Sequence, residues 1–141
     1  MNQDEEALTG EALRERIAAE LLSARDRTTL LTTAVDEGDL IRQHSPLMSP
    51  LVWDLAHIAN QEELWLLREV GGRTPIHPEI DPLYDAFEHP RAERPTLPLL
   101  TPLEARRYGH EDATGGENGV DHRVGLEVLS PSIYMHRLTI A

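Results

Sequence analysis

Residues 9–35 carry apolar side chains at the period of an α-helix. Successive members of the stripe lie three or four positions apart, which places them on one helix face. The members are Leu13, Ile17, Leu21, Ala24, Thr28, Leu31 and Val35. Thr9 is a suitable N-cap, and Glu11 suits the positive end of the helix dipole. Gly38 breaks the pattern and predicts the helix end, with a short turn of helix following through Arg42.

A second helix is predicted within the stretch "SPLMSPLVWDLAHIANQEELWLLR". Ser49 is a good N-cap, and Pro50 would stand at the first helical position, where its missing N–H costs nothing. The helix is expected to run to about Val70, because Gly71 and Gly72 follow it. Its apolar residues point in several directions, which is typical of a helix buried among other helices.

Residues 73–102 contain seven of the ten prolines, which excludes a long helix or a central strand. The spacing of Leu83, Tyr84 and Phe87 favours a short helix over residues 83–88 within an ordered connection. A new helix is then predicted, with Thr101 as N-cap, Pro102 first and Glu104 third.

Helical period is lost after Tyr108, and turn signals such as Gly115-Gly116 and Asn118-Gly119 follow. The segment "VGLEVL" is compatible with a short strand. We therefore expect an all-α but incomplete helix bundle over residues 9–108. It would lie between a disordered N-terminus, residues 1–8, and an irregular, poorly ordered tail, residues 109–141.

The chain has 141 residues, enough for one domain, and its net charge is 13 − 25 = −12. Such a surface repels phosphates, so nucleic acid and anionic membranes are poor candidates for partners. There is no cysteine, so any metal site has to use His, Asp or Glu. No signal peptide or membrane-spanning run is evident, and a cytoplasmic location is expected.

His57 is the candidate for chemistry on the second helix, where it shares a face with Trp53, Asn60, Gln61 and Leu64. Spacing alone favours an ordinary buried histidine bonded to a neighbour. The other six histidines are expected to face solvent, and no two are spaced as a helical metal pair.

Arg91 and Arg94, in "HPRAERP", form a second candidate pair. Arginine suits two-point recognition of a carboxylate. In so acidic a chain, pairing with surface acids is the competing interpretation. Asp85, in "PLYDAF", is interpreted as a local cap.

The strings "MSPLVWDLAHI" and "LYDAF" closely resemble the N-terminal part of the ergothioneine-biosynthesis sulfoxide synthases, or hercynine oxygenases, over about residues 9–108. The resemblance implies a DinB-like four-helix domain. It also implies O₂-dependent joining of the sulfur of γ-glutamylcysteine or cysteine to hercynine, at a non-haem Fe(II) held by three histidines.

The resemblance assigns one iron ligand to His57 and the binding of the thiol substrate's carboxylates to Arg91 and Arg94. It places the other two ligands on a later His-x-x-x-His helix, followed by a large C-terminal domain. No His-x-x-x-His occurs in this chain, so a frameshift or truncation near residue 108 is expected.

On that basis this chain alone is expected to bind iron weakly and to be inactive. His57 is then expected to line a partly open, water-accessible cavity beside Trp53 and Gln61 and to contribute little to packing. The alternatives are a non-catalytic helical module and a metal-dependent thiol transferase.

Overall fold

The structure, a computed structural model, describes residues 10–114. Four α-helices follow in chain order: α1 Gly10–Thr33, α2 Glu37–Ile41, α3 Leu51–Glu62 and α4 Pro102–Thr114. A π-helical segment, Glu63–Val70, continues α3 directly, and two 3₁₀ helices, Pro78–Tyr84 and Arg94–Thr96, lie in the proline-rich connection. The described residues contain no strand, so the all-α prediction is confirmed for this part of the chain.

The core lies around α3, which packs on α2, α4 and the first 3₁₀ helix. Its buried cluster contains Val52, Trp53, Ala56, Tyr84 and Ala105. The prediction that the second helix is the buried one is confirmed.

The stripe predicted on α1 is only partly covered, and Leu31 is exposed. Arg25 of α1 pairs with Glu62 at 2.6 Å, and Arg106 of α4 donates to the Thr32 carbonyl at 3.3 Å. Polar contacts near α3 and α4 thus help to hold α1.

Two predicted helix signals in the first half of the chain were wrong. The first helix ends at Thr33, and Gly38 lies inside α2, where its N–H bonds to the Asp36 cap at 2.8 Å. The Thr33 hydroxyl donates to the Thr29 carbonyl at 2.8 Å. Such a side-chain hydrogen bond competes with the backbone hydrogen bonds of the helix and weakens its end. Ser49 does not cap α3; its N-cap residue is Pro50, one position later than predicted.

The Gly-Gly end of the second helix is confirmed. A Cβ on Gly71 would lie 2.6 Å from the Leu67 carbonyl oxygen, and Gly72 has a left-handed φ of 62°. Neither position suits a larger residue.

The short helix predicted over residues 83–88 lies earlier, as the 3₁₀ helix Pro78–Tyr84. Asp85 follows it as the C-cap residue, and its carboxylate caps the next turn by accepting the Phe87 N–H at 2.8 Å, so its predicted role as a local cap is confirmed. Phe87, whose spacing favoured a place in the predicted helix, lies beyond the 3₁₀ helix and is fully exposed.

The cap predicted for the last helix is confirmed, because Thr101 and Glu104 exchange hydrogen bonds as a capping box. The expected loss of helix after Tyr108 was wrong, because α4 continues to Thr114. Gly109 costs a helix about 1 kcal/mol, which neighbouring turns can offset. The predictions for Thr9, for the rest of residues 1–9 and for residues 115–141 lie outside the described residues.

Candidate metal centre

The indole of Trp53 organises the candidate site. It is buried at the start of α3, and its Nε1–H donates to the Leu83 carbonyl at 3.2 Å. One helical turn later, the His57 imidazole stacks on it, with ring centroids 4.6 Å apart and planes 18° from parallel. His57 is half-buried and packs on the indole, contrary to the expectation that it contributes little to packing. Its place in a partly open, water-accessible cavity stays a prediction.

The hydrogen bond of His57 determines which ring nitrogen is available to a ligand. Its Nδ1 lies 2.8 Å from the Tyr84 carbonyl oxygen. A carbonyl only accepts, so neutral His57 carries its proton on Nδ1 and presents the Nε2 lone pair. A backbone carbonyl on the distal nitrogen is a common arrangement for a metal-ligating histidine.

Arg94 is 6% exposed and lies over the Trp53 ring, with Cζ 3.7 Å from the centroid. Its Nη1 donates to the Ser49 hydroxyl at 2.6 Å and its Nε to the His89 carbonyl at 2.8 Å. Burial lowers the pKa of Arg94, and repulsion from nearby Arg91 lowers it further. These contacts hold the 85–94 loop against the start of α3.

Arg91 is exposed, and its carbonyl accepts from the Gln43 side chain at 3.0 Å. The structure thus brings Arg91 close to Arg94, and Arg94 and His57 onto one indole. Among the described residues, neither arginine forms a salt bridge with a surface acid. The nearby charge of Asp54 interacts with Arg94 and raises its pKa, against the effect of burial. The assignment of Arg91 and Arg94 to substrate binding stays a prediction.

Asp54 belongs to the same site and was missed from the sequence. Burial raises its pKa, opposed by a hydrogen bond from Ser49 and by the charges of Arg94, His57 and Arg91. The available signal was its position three residues before His57, one turn along the helix.

A buried polar network, also missed, lies beyond the site. Glu63 is fully buried and accepts from Arg68 at 2.7 Å, from the Ile76 N–H at 2.7 Å and from the Tyr108 hydroxyl at 2.5 Å. Arg68 also pairs with Asp81. The five-residue interval from Glu63 to Arg68 fits a π-helix, whereas an ideal α-helix would separate these side chains.

The remaining histidines of the described part differ in exposure. His44 and His110 are exposed, as predicted. His77 and His89 are only partly exposed, and the His77 ring meets Tyr108 edge-on at 5.7 Å.

The residues described fit a metal ion only in part. His57 is oriented as a ligand, but residues 10–114 contain no group of three His, Asp or Glu side chains that could hold an ion. In the same range, no helix has the length and apolarity that crossing a bilayer requires.

A family model described as the DinB superfamily matches residues 20–115, more than half of the chain. The chain belongs to the DinB superfamily. This match confirms the DinB-like fold that the resemblance implied, and it extends to residue 115.

Within the DinB superfamily, the chain is similar to proteins named hercynine oxygenase. It is 59% identical over 97 residues to that of Mycolicibacterium smegmatis and 54% over 105 residues to that of Mycolicibacterium thermoresistibile. It is 54% identical over 96 residues to that of Mycobacterium tuberculosis. The aligned parts are 67%, 72% and 67% of this chain but 22%, 23% and 22% of these relatives.

The chain therefore spans less than a quarter of the length of the relatives it matches. A continuous aligned span of two thirds of 141 residues covers the middle of the chain wherever it begins. It therefore includes positions 57, 91 and 94.

Proposed function

We propose that this DinB-superfamily chain is the helical part of a hercynine oxygenase that supplies one iron ligand and the carboxylate-binding arginines. The observation that carries the proposal is the contact of His57 Nδ1 with the Tyr84 carbonyl, which leaves the Nε2 lone pair available to a ligand. The identity of 54–59% to named hercynine oxygenases supports it.

In this proposal a complete centre needs further ligands, because non-haem iron is usually held by about three protein side chains. The iron supplies the oxygen chemistry, and the protein supplies binding and orientation. The role of this chain is then to hold the imidazole of His57 rigidly, through the Trp53 stack and the Tyr84 carbonyl.

Arg91 and Arg94 have different parts in binding the carboxylates of the thiol substrate. Arg91 is exposed and offers its guanidinium to a carboxylate of the thiol substrate. Arg94 has part of its donor capacity committed to Ser49 and His89. It adds positive charge and holds the loop that carries Arg91.

The test is a chimera of the Mycolicibacterium smegmatis enzyme whose aligned 97-residue stretch is replaced by the corresponding stretch of this chain. Mass spectrometry would follow O₂-dependent C–S bond formation between hercynine and γ-glutamylcysteine, with cysteine as the second donor. We expect the chimera to be active and its His57→Ala variant to be inactive. A charged hydrogen bond is worth about 1.5–3 kcal/mol, so Arg91→Ala should raise KM for the thiol about 10- to 100-fold.

The matched control is Arg73→Ala, which removes a partly buried arginine after the π-helical segment and should leave KM for the thiol unchanged. A folded chimera that forms no product, beside an active parent enzyme, contradicts the proposal. So does a His57→Ala chimera that keeps full activity.

A further inference from the structure

Two consecutive carbonyls at the end of the first 3₁₀ helix receive the ring N–H groups of the candidate site. The Leu83 oxygen accepts from Trp53 Nε1 at 3.2 Å, and the Tyr84 oxygen lies 2.8 Å from His57 Nδ1. Trp53 and His57 are one turn apart on α3. The last carbonyls of a helix lack partners within it, so these two are available as acceptors.

Polar contacts of Asp81, three residues before Tyr84, add to the core packing of Tyr84 in holding this 3₁₀ helix in place. Both carboxylate oxygens of Asp81 bind Arg68, at 2.5 and 3.0 Å, and Oδ1 also accepts from Asn60 at 2.8 Å. Three residues make one 3₁₀ turn, so Asp81 and Tyr84 lie on the same side of the helix. The contacts that hold Asp81 against α3 and the π-helical segment thus also help to hold the Tyr84 carbonyl against His57.

The contact between Asp81 and Arg68 is ionic, which favours a role in positioning over one in stability. Arg68 is shared between Asp81 and the fully buried Glu63. Burying ions costs desolvation energy, and apolar replacements of buried ion pairs are often neutral or stabilising. A two-point arginine–carboxylate contact instead fixes relative position and angle.

We propose that Asp81 is a positioning residue for His57. Held by Arg68 and Asn60, it sets the register of the 3₁₀ helix on α3 so that the Tyr84 carbonyl takes the Nδ1–H. His57 is thereby confined to the tautomer whose Nε2 lone pair is available. The inference rests on the proposed function only in naming Nε2 as the ligand atom.

The tautomer of His57 can be measured without metal or substrate. Long-range ¹H–¹⁵N correlation spectra of ¹⁵N-histidine-labelled protein, at a pH where imidazole is neutral, distinguish Nδ1–H from Nε2–H. Comparison with His57→Gln assigns the signals of His57. We expect the Nδ1–H form to dominate in the unchanged chain.

In Asp81→Ala we expect the ratio of Nδ1–H to Nε2–H to fall about fivefold, which corresponds to losing a hydrogen bond worth about 1 kcal/mol. Asp81→Asn keeps the shape but loses the charge, and should give a smaller shift in the same direction. Glu79→Ala is the matched control on the same 3₁₀ helix, because its exposed carboxylate bonds to His77. It should leave the ratio unchanged.

A folded Asp81→Ala chain with an unchanged ratio overturns the inference, as does an equal shift in Glu79→Ala. If Asp81→Ala does not fold, as judged by circular dichroism, Asp81→Asn decides by the presence or absence of the shift. An inactive chimera beside a normal tautomer response would instead count against the proposed function alone.

Discussion

At the scale of single residues, two contacts orient His57 by different means. The Trp53 stack fixes the plane of the ring, and the Tyr84 carbonyl fixes its rotation within that plane. Neither contact uses Nε2. An imidazole so held loses little further freedom on binding a metal or a substrate group, which is how a preorganised site gains affinity.

His57→Ala should lower the free energy of unfolding in urea by about 1–2 kcal/mol, because it removes a ring contact and leaves the Tyr84 carbonyl without that donor. His110→Ala is the matched control, since it makes the same change at an exposed position of α4 and should stay within about 0.5 kcal/mol. Equal values for the two variants would mean that the contacts of His57 contribute nothing to stability.

Asp54 should make stability depend on pH in the sense opposite to most carboxylates. Its pKa in the folded chain is raised above the usual 3.8, chiefly by burial, so the folded state holds the proton more firmly than the unfolded state. Stability from this group is therefore present at low pH and is lost as pH rises from about 3.8 through the raised pKa.

Asp54→Asn removes this dependence, so the variant should gain stability relative to the parent as pH rises from 3 to 7. Urea unfolding at both pH values measures the difference. Glu104→Gln is the comparison, because the Thr101 N–H lowers the pKa of Glu104. Its stabilisation is present above the usual 4.5 and is lost as pH falls through the lowered pKa, so Glu104→Gln should lose relative stability as pH rises. Slopes of the same sign in both variants would contradict the assignment.

At the scale of elements, the π-helical segment 63–70 connects the site to the rest of the domain. It brings Arg68 to both Glu63 and Asp81, and it ends at Gly71 and Gly72. The Tyr108 hydroxyl then joins α4 to Glu63 at 2.5 Å. The contacts of Glu63 and Arg68 thus join the π-helical segment to the first 3₁₀ helix and to α4.

Arg68→Met should therefore cost about 3–5 kcal/mol, since it leaves the fully buried Glu63 and the partly exposed Asp81 without their shared cation. Arg16→Met is the matched control, because Arg16 pairs with Glu20 on the exposed surface of α1. Its expected cost is below about 1 kcal/mol. A loss below 1 kcal/mol for Arg68→Met as well, in urea unfolding, would show that the network is not needed for stability.

The sequence predicts elements whose signals are local and misses those set by tertiary contacts. The capping box at Thr101 and the Gly-Gly end at Gly71 depend on neighbouring residues, and both were predicted correctly. Ser49 has the composition of a cap but accepts from Arg94, 45 residues away. The π-helix has i→i+5 hydrogen bonds, so a search for apolar residues at the α-helical period does not distinguish it from an α-helix.

The candidate site shows the same division. His57 follows from a resemblance to a family, and spacing alone favours an ordinary buried histidine. The Tyr84 carbonyl that orients it is a backbone group 27 residues away, and no side-chain pattern indicates it.

At the scale of the whole molecule, residues 10–114 contain no group of three side chains that could hold a metal ion. In the proposed function they supply one ligand, His57, of a centre that needs about three. Their relatives are more than four times as long as the part that aligns. Four-ligand structural zinc sites bind with about 10–16 kcal/mol. A single ligand accounts for about a quarter of that, roughly 2.5–4 kcal/mol, which corresponds to a Kd of about 1 mM or weaker.

Anaerobic calorimetric titration of this chain with Fe(II) should therefore show no stoichiometric binding at micromolar concentrations. The chimera with the Mycolicibacterium smegmatis enzyme should bind one equivalent, and its His57→Ala variant should lose at least tenfold in affinity. His44→Ala, in an exposed position, is the matched control and should bind as the unchanged chimera does. Micromolar binding by the chain alone, abolished by His57→Ala, would mean that residues outside 10–114 complete a centre within this chain. Micromolar binding that survives His57→Ala would place the ion elsewhere and remove the argument for His57 as a ligand.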